Sequence, residues 1–283
     1  MSSRRPVRIS IANAIFIAAA LLAVRPAAAE EKPLWEAGLG IGALRFPDYR
    51  GSDESQVYPV PVPYFVYRGD FFKADRDGVR GELFNRRYVE FNISLNATIP
   101  VNSDDNAARR GMPDLKPTIE IGPSLDLHLW RSASENVKLD LVMPVRAPIT
   151  VESSPQSIGW VFSPRLNVDF QDIGHRGWDF GFGAGPIVAD RKFHDYFYSV
   201  APRFATAERT AYQADGGYSG MHVLTSLSKR FSGYWVGAYL RYDTLSGAVF
   251  EDSPLVRSRS YWAGGVGIAW MIGQSKRMVA SAD

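Results

Sequence analysis

The chain has 283 residues, a formal net charge of +2, 22% charged and 13% aromatic residues, and no cysteine. Near-neutral charge without a basic stripe gives no case for nucleic-acid binding, and the missing thiols exclude disulfides, zinc–thiolate sites and cysteine nucleophiles. A mean hydropathy of −0.15 resembles a soluble protein's, yet a wall that alternates apolar and polar side chains averages to the same value.

Arg4, Arg5 and Arg8 precede an almost wholly apolar run over 11–24, followed by Ala27, Ala28 and Ala29. A basic head, a short apolar middle and a small-residue cleavage site form the pattern of a secretory signal peptide, here over 1–29. The run is too short to span a bilayer comfortably. The mature chain, 30–283, is expected to be exported as one domain without a membrane-spanning helix.

Residues 34–46 place Trp35, Ala37, Leu39, Ile41 and Ala43 on one face of a strand, with Gly38, Gly40 and Gly42 on the other. Residues 58–67 are extended but carry Pro59, Pro61 and Pro63, which donate nothing to a ladder, so an irregular or rim strand is expected. A hairpin turn at 75–78 joins 71–74 to 79–84. Its Asp75 and Asp77 lack the further ligands of a calcium loop. Residues 88–99 alternate Val89, Phe91, Ile93, Leu95 and Ala97 against Glu90, Asn92, Ser94 and Asn96.

The stretch 117–189 carries the clearest signal, four successive segments of period two. Ile119, Ile121, Leu125, Leu127 and Leu129 face away from Glu120, Ser124, Asp126 and His128. Val137, Leu139, Leu141, Met143 and Val145 oppose Lys138, Asp140 and Arg146. Trp160, Phe162, Leu166, Val168 and Phe170 oppose Ser163, Arg165, Asn167 and Asp169, and Trp178, Phe180, Phe182 and Val188 oppose Asp179 and several glycines. Beyond a tyrosine-rich loop at 190–216, residues 217–229 read as a strand whose apolar face is not evident. Strands at 234–242 and 260–271 complete the set and leave a short tail, 272–283.

The connections sort by parity. Those at 68–69, 85–87, 131–136, 171–177 and 231–233 are short, whereas 47–57, 100–116, 190–216 and 243–258 alternate with them and are long; the alternating set also includes 149–158 and the tight turn at 75–78. Short turns at one end and long loops at the other are the habit of an outer-membrane barrel with both termini in the periplasm. Lipid satisfies no backbone polar group, so such strands must close on themselves. The expected fold is an all-β, closed antiparallel transmembrane barrel of about twelve strands, with ten as the alternative. Trp130, Trp160, Trp178 and Trp262 fall near strand ends, where interfacial belts belong. A soluble two-layer sandwich is the rival and would cover Leu125 and Phe162 with protein.

No catalytic, cofactor or metal site is expected. His128 lies near Asp126, with Asp140 a candidate neighbour, and His222 lies near Ser226, but the residues around a serine–histidine pair cannot be matched from sequence. His175 and His194 have no metal-ligand companion at useful spacing. Gly181, Gly183 and Gly185 lack the spacing and βαβ context of a nucleotide loop and instead leave room for bulky neighbours. The inward faces carry both signs (Glu36, Glu90, Glu120, Asp126, Lys138, Asp140, Arg146, Arg165, Asp169 and Arg241), which suggests ion pairs across a partly filled interior rather than an ion-selective ring. Residues 190–216 are long enough to fold inward, with Phe193, Tyr196, Phe197 and Tyr198 at the mouth.

Several short motifs occur in an order that resembles the MipA/OmpV family of outer-membrane proteins. They are Tyr49-x-Gly51-Ser52-Asp53, Pro61-x-Pro63-Tyr64, Tyr67-Arg68-Gly69-Asp70, Tyr196-Phe197-Tyr198-Ser199-Val200, Ala211-Tyr212-x-Ala214-x-Gly216-Gly217 and Asp252-Ser253-Pro254-Leu255-Val256. The resemblance implies a barrel surrounded by outer-membrane lipid and lipopolysaccharide. It also implies a structural role without catalysis, as a scaffold joining a murein transglycosylase to a murein synthase. Porin-like passage of small polar solutes and surface adhesion are the alternatives it carries. One departure stands out: members tend to finish on an aromatic strand, whereas here Trp270 is followed by thirteen residues.

Overall fold

In the computed structural model, residues 31–68, 72–75, 78–86 and 88–280 are described. Residues 1–29, where a signal peptide is expected, lie outside them, as do 30, 69–71, 76–77, 87 and 281–283. Period-two alternation becomes strand in each expected place. The strands are β1 (Glu31–Pro33), β2 (Trp35–Pro47), β3 (Ser55–Arg68), β4 (Phe72–Asp75), β5 (Gly78–Arg86), β6 (Val89–Thr98), β7 (Thr118–Arg131) and β8 (Val137–Thr150). They continue with β9 (Val161–Phe162), β10 (Arg165–Phe170), β11 (Trp178–Ala189), β12 (Gly217–Arg230), β13 (Tyr234–Thr244), β14 (Ser260–Gln274) and β15 (Met278–Ala280). One short helix, α1 (Arg191–Tyr198), follows β11.

Among the described residues, β2 to β14 form one antiparallel sheet in which each strand pairs with its sequence neighbour, except that β9 and β10 do not pair with each other. The sheet closes on itself, because β14 pairs with β2 while β8 and β11 both pair with β10 and with β9. The latter two strands occupy one place in the wall, interrupted at Ser163 and Pro164. Closure leaves outward apolar faces that no second layer covers. Ile41 is 66% exposed and Val266 61%, and Leu95, Ile121, Leu125, Phe182, Leu227 and Leu240 are exposed too. In water such a surface would drive aggregation; in lipid it anchors the wall. Trp160 and Trp262 stand near the long-loop end and Trp130, Trp178 and Trp270 near the short-turn end, giving two belts.

Three sequence expectations change. The last strand runs to Gln274 rather than 271, and the tail is not loose, because Met278–Ala280 pair with Glu31–Pro33. Both ends of the described chain are thereby joined beyond the short turns. The strand at 217–229, ambiguous in sequence, turns Met221 and Leu227 outward and buries Ser219 and His222 inside.

The third change concerns the prolines. β3 is not irregular: it pairs with β2 without a break from Ser55 to Tyr67. Asp48 donates its backbone N–H to the Glu54 carbonyl at 3.1 Å, which fixes the ladder so that even-numbered residues of β3 bond β2 and odd-numbered ones face away. Pro59, Pro61 and Pro63 therefore withhold N–H groups from the far edge only. That edge pairs with β4 at Tyr67 and Arg68 and has no strand partner over 55–66 among the described residues. The hairpin of β4 and β5 is too short to reach farther.

The interior has two characters. On the polar side Arg146 donates to Glu120 at 3.0 Å, to Ser163 at 2.9 Å and to Ser94 at 3.2 Å. Asn92 donates to Asp126 at 2.9 Å, and His128 Nδ1 lies 2.9 Å from Asp140. Where Gly42, Gly267, Val62, Tyr64 and Trp235 come together, across β13, β14, β2 and β3, the interior is apolar. Val62 lies over Gly42 and Gly267, and the rings of Tyr64 and Trp235 meet at 5.9 Å above the glycine-rich strands between them. Arg230 of β12 reaches Glu36 of β2 at 2.8 Å, an ion pair that bridges two intervening strands.

Candidate functional site at the long-loop end

Four long loops, 48–54, 99–117, 190–216 and 245–259, meet above the barrel and share a hydrophobic core of their own. Tyr49, Val101, Ala108, Leu115, Tyr198, Val200, Ala214, Leu245, Phe250 and Leu255 are buried in it. Loops exclude water this thoroughly only when their backbone groups find partners, and side chains supply many of them. Tyr49 donates to the Leu255 carbonyl at 2.7 Å, Tyr198 to that of Arg50 at 2.9 Å, and Ser253 to that of Tyr198 at 2.7 Å. Arg109 donates to the Phe197 carbonyl, and Arg209 to those of Ala108 and Arg110. Asn106 binds Asp48 and Ser52. Burial pushes the phenols of Tyr49 and Tyr198 well above the ordinary tyrosine value, so both remain neutral donors.

The helix α1 carries the aromatics expected at the mouth. Asp190 caps it, accepting from the backbone of Phe193 at 3.0 Å and also from that of Trp160 at 3.1 Å. The neighbouring Gly159 must be glycine, since its φ is +114° and a Cβ would strike the Asp190 carboxylate. Tyr198 stacks on Phe250 with centroids 3.7 Å apart and planes 8° from parallel. Phe193 and Phe197 pack together at 5.0 Å.

His194, which has no companion in the sequence reading, is fully buried beside them. Its Nε2 lies 2.6 Å from Ser219 Oγ and its Nδ1 2.5 Å from the Asp215 carbonyl. With Nδ1 donating to that carbonyl, Nε2 accepts the serine hydroxyl, so the pair locks the loop to the top of β12. Burial holds the imidazole below its ordinary pKa, against the Asp215 carbonyl, with Arg50 reinforcing the shift. A serine this deeply covered offers no approach to a substrate. His128 meets Asp140, as the sequence allows, but Asp126 binds Ser124 and Asn92 instead. His222 faces Asp243 in register rather than acting with Ser226. His175 pairs with Asp172 in an exposed turn. Gly181 and Gly183 make room for Ser226, Asp169 and Asn167 to lean over β11.

The family model described as MltA-interacting protein MipA matches residues 39–272, nearly the whole barrel. The chain belongs to this family. Among relatives, the outer membrane protein OmpV of Vibrio cholerae is 23% identical over 212 residues, covering 73% of this chain and 76% of the relative. The outer membrane protein Omp26La of Vibrio anguillarum gives the same identity and coverage. Among solved structures, an outer membrane channel from Pseudomonas putida F1 aligns with 88% of this chain and all of its own, at 14% identity and a TM-score of 0.46. Membership in the MipA family, with relatives of this kind, makes the protein an outer-membrane β-barrel.

Proposed function

We propose that the chain is a non-enzymatic scaffold of the outer membrane that presents its short-turn end to a murein transglycosylase and a murein synthase. Secretion with loss of 1–29 belongs to this reading, as does an orientation with the long loops outward. The observation that carries it is the packed core shared by four loops. A mouth closed by buried Tyr198, Phe250 and Leu255 suits a structural post better than a wide pore. The family's description, as a protein that interacts with MltA, supplies the class of partner. Contact would fall on the turns at 132–136, 171–177 and 231–233 and on the paired ends β1 and β15, all on the murein side in this orientation.

The test places photo-crosslinking residues at Ser134, Ser232 and Lys276, with the exposed Glu208 at the loop end as control, in the intact barrel in cells. Adducts with murein enzymes from the first three sites and none from Glu208 are expected. Adducts from Glu208 alone, or no murein enzyme at any site, would overturn the reading. A second reading, passive conduction of small polar solutes, draws support from the polar interior side around Arg146 and Glu120. A large steady current from the unaltered barrel in planar bilayers would put it first.

A further inference from the structure

At the short-turn end, the outward row shared by β11 and β12 finishes on a charge. Phe180 is in register with Leu227 and Trp178 with Lys229, so the lysine continues the lipid-facing row of Met221 and Leu227. The turn 171–177 lies beside the same spot. Asp172 shapes that turn, accepting from the backbone of Gly177 at 2.7 Å and lying 3.3 Å from His175 Nδ1. Gln171 donates its N–H to the Asn136 carbonyl at 2.7 Å, which ties the turn to the preceding one. Between turn and wall is an open groove of about 400 Å³, lined by Ile173, Gly174, Arg176, Trp178 and Leu227.

Two cations meet at this groove. Lys229 Nζ donates to the Arg176 carbonyl at 2.6 Å and stands over the rings of Trp178 and Phe231, at 5.5 and 4.9 Å. An ammonium has three donors, and this bond uses one. The Arg176 side chain is exposed and makes no hydrogen bond or ion pair among the described residues. The nearest carboxylates are otherwise engaged. Asp172 is held by Gly177 and His175, and Asp179 accepts the Asp172 N–H at 3.0 Å.

Lysine and arginine at a membrane interface commonly reach toward water past an aromatic belt. That habit requires neither a groove nor an unmatched guanidinium beside it. The planar fork of arginine matches phosphate oxygens two at a time, and the groove below it offers Ile173, Trp178 and Leu227 to hydrocarbon. A molecule with one phosphate and an apolar chain answers both halves.

We infer that this groove binds one anionic phospholipid, its phosphate on Arg176 with Lys229 alongside and a chain against Ile173, Trp178 and Leu227. Basic pockets in membrane walls hold lipid head groups by the same attraction. The choice of phospholipid over lipopolysaccharide rests on the orientation proposed above, with the short turns in the periplasm. The groove does not rest on the murein partners, so a failure to find them leaves it standing.

The test uses the intact barrel in detergent and counts bound lipids by native mass spectrometry. Phosphatidylglycerol is the probe. Diacylglycerol with the same chains, lipopolysaccharide and inorganic phosphate are the other arms. One phosphatidylglycerol per barrel is expected to bind saturably, and diacylglycerol at least about tenfold more weakly, the usual worth of a charge-assisted hydrogen bond. Arg176→Gln, at an exposed turn position, is expected to weaken phosphatidylglycerol about tenfold and to leave diacylglycerol unchanged. Arg203→Gln, exposed at the long-loop end, is expected to change neither. Equal binding of the two lipids, or equal binding by wild type and Arg176→Gln, would overturn the proposal. So would tighter binding of lipopolysaccharide, or release of phosphatidylglycerol by an equal concentration of inorganic phosphate.

Discussion

Replacing Phe250 by alanine tests whether the long-loop end is a closed unit of its own. Phe250 is fully buried, stacked on Tyr198 at 3.7 Å and edge-on to His194 at 4.6 Å. Removing a buried phenylalanine ring ordinarily costs about 3–5 kcal/mol. Because the ring touches loops rather than the wall, that cost should fall on the opening of the loop core and leave the strands alone. At tenfold per 1.4 kcal/mol, the opened population rises about 140- to 3,700-fold. Hydrogen exchange of the barrel in lipid nanodiscs reads this directly. Amides in 190–216 and 245–259 should exchange faster by that factor, up to their intrinsic rates, while those of β7 and β8 keep theirs. Equal acceleration in β7 and β8 would refute a separable cap. Unchanged loop amides would refute closure by packing.

Lysine at Ile41, on the lipid face, should lower the folding free energy into bilayers by about 2–4 kcal/mol if this position lies near the midplane, measured by urea titration in liposomes. Glu120→Gln should cost about 3–5 kcal/mol because it strands the buried guanidinium of Arg146, and Glu120→Gln with Arg146→Met should recover much of the loss. Recovery no greater than for two unrelated substitutions would deny the coupling. The loop core should loosen in acid. His194 has a depressed pKa in the folded state, so its contribution is complete above the ordinary histidine value of about 6.5 and fades as pH falls below it. Exchange in α1 should quicken over that range, and His194→Gln should flatten the dependence.

The wall was legible because lipid imposes a simple rule on it. Ile119 to Leu129 and Val137 to Val145 had to alternate, and the turns between them had to be short on one side. The direction of the Pro59–Pro61–Pro63 edge was not legible, since missing donors say nothing about which neighbour is deprived. Nor was the face of β12. Met221, Val223, Thr225 and Leu227 alternate with His222, Leu224, Ser226 and Ser228, and both rows mix polar with apolar residues, so only the match of His222 to Asp243 decides. The loop core was hidden for a different reason. Tyr49 and Leu255 meet although 206 positions separate them, and no periodicity marks contacts made by irregular backbone. His194 looked isolated because its partner, Ser219, belongs to a strand that begins beyond the loop.

The far edge of β3 has one more consequence. At 59, 61 and 63 it offers carbonyl oxygens and no hydrogen. Hydrogen bonding between strands requires each to give as well as take, so two such edges brought together present oxygen to oxygen. An exposed edge is otherwise an invitation to add strand upon strand. Here, where β4 and β5 stop short and no strand partner stands among the described residues, three successive outward positions cannot pair with a copy of themselves. A wall with this stretch of edge can stand beside copies of itself without joining them along it.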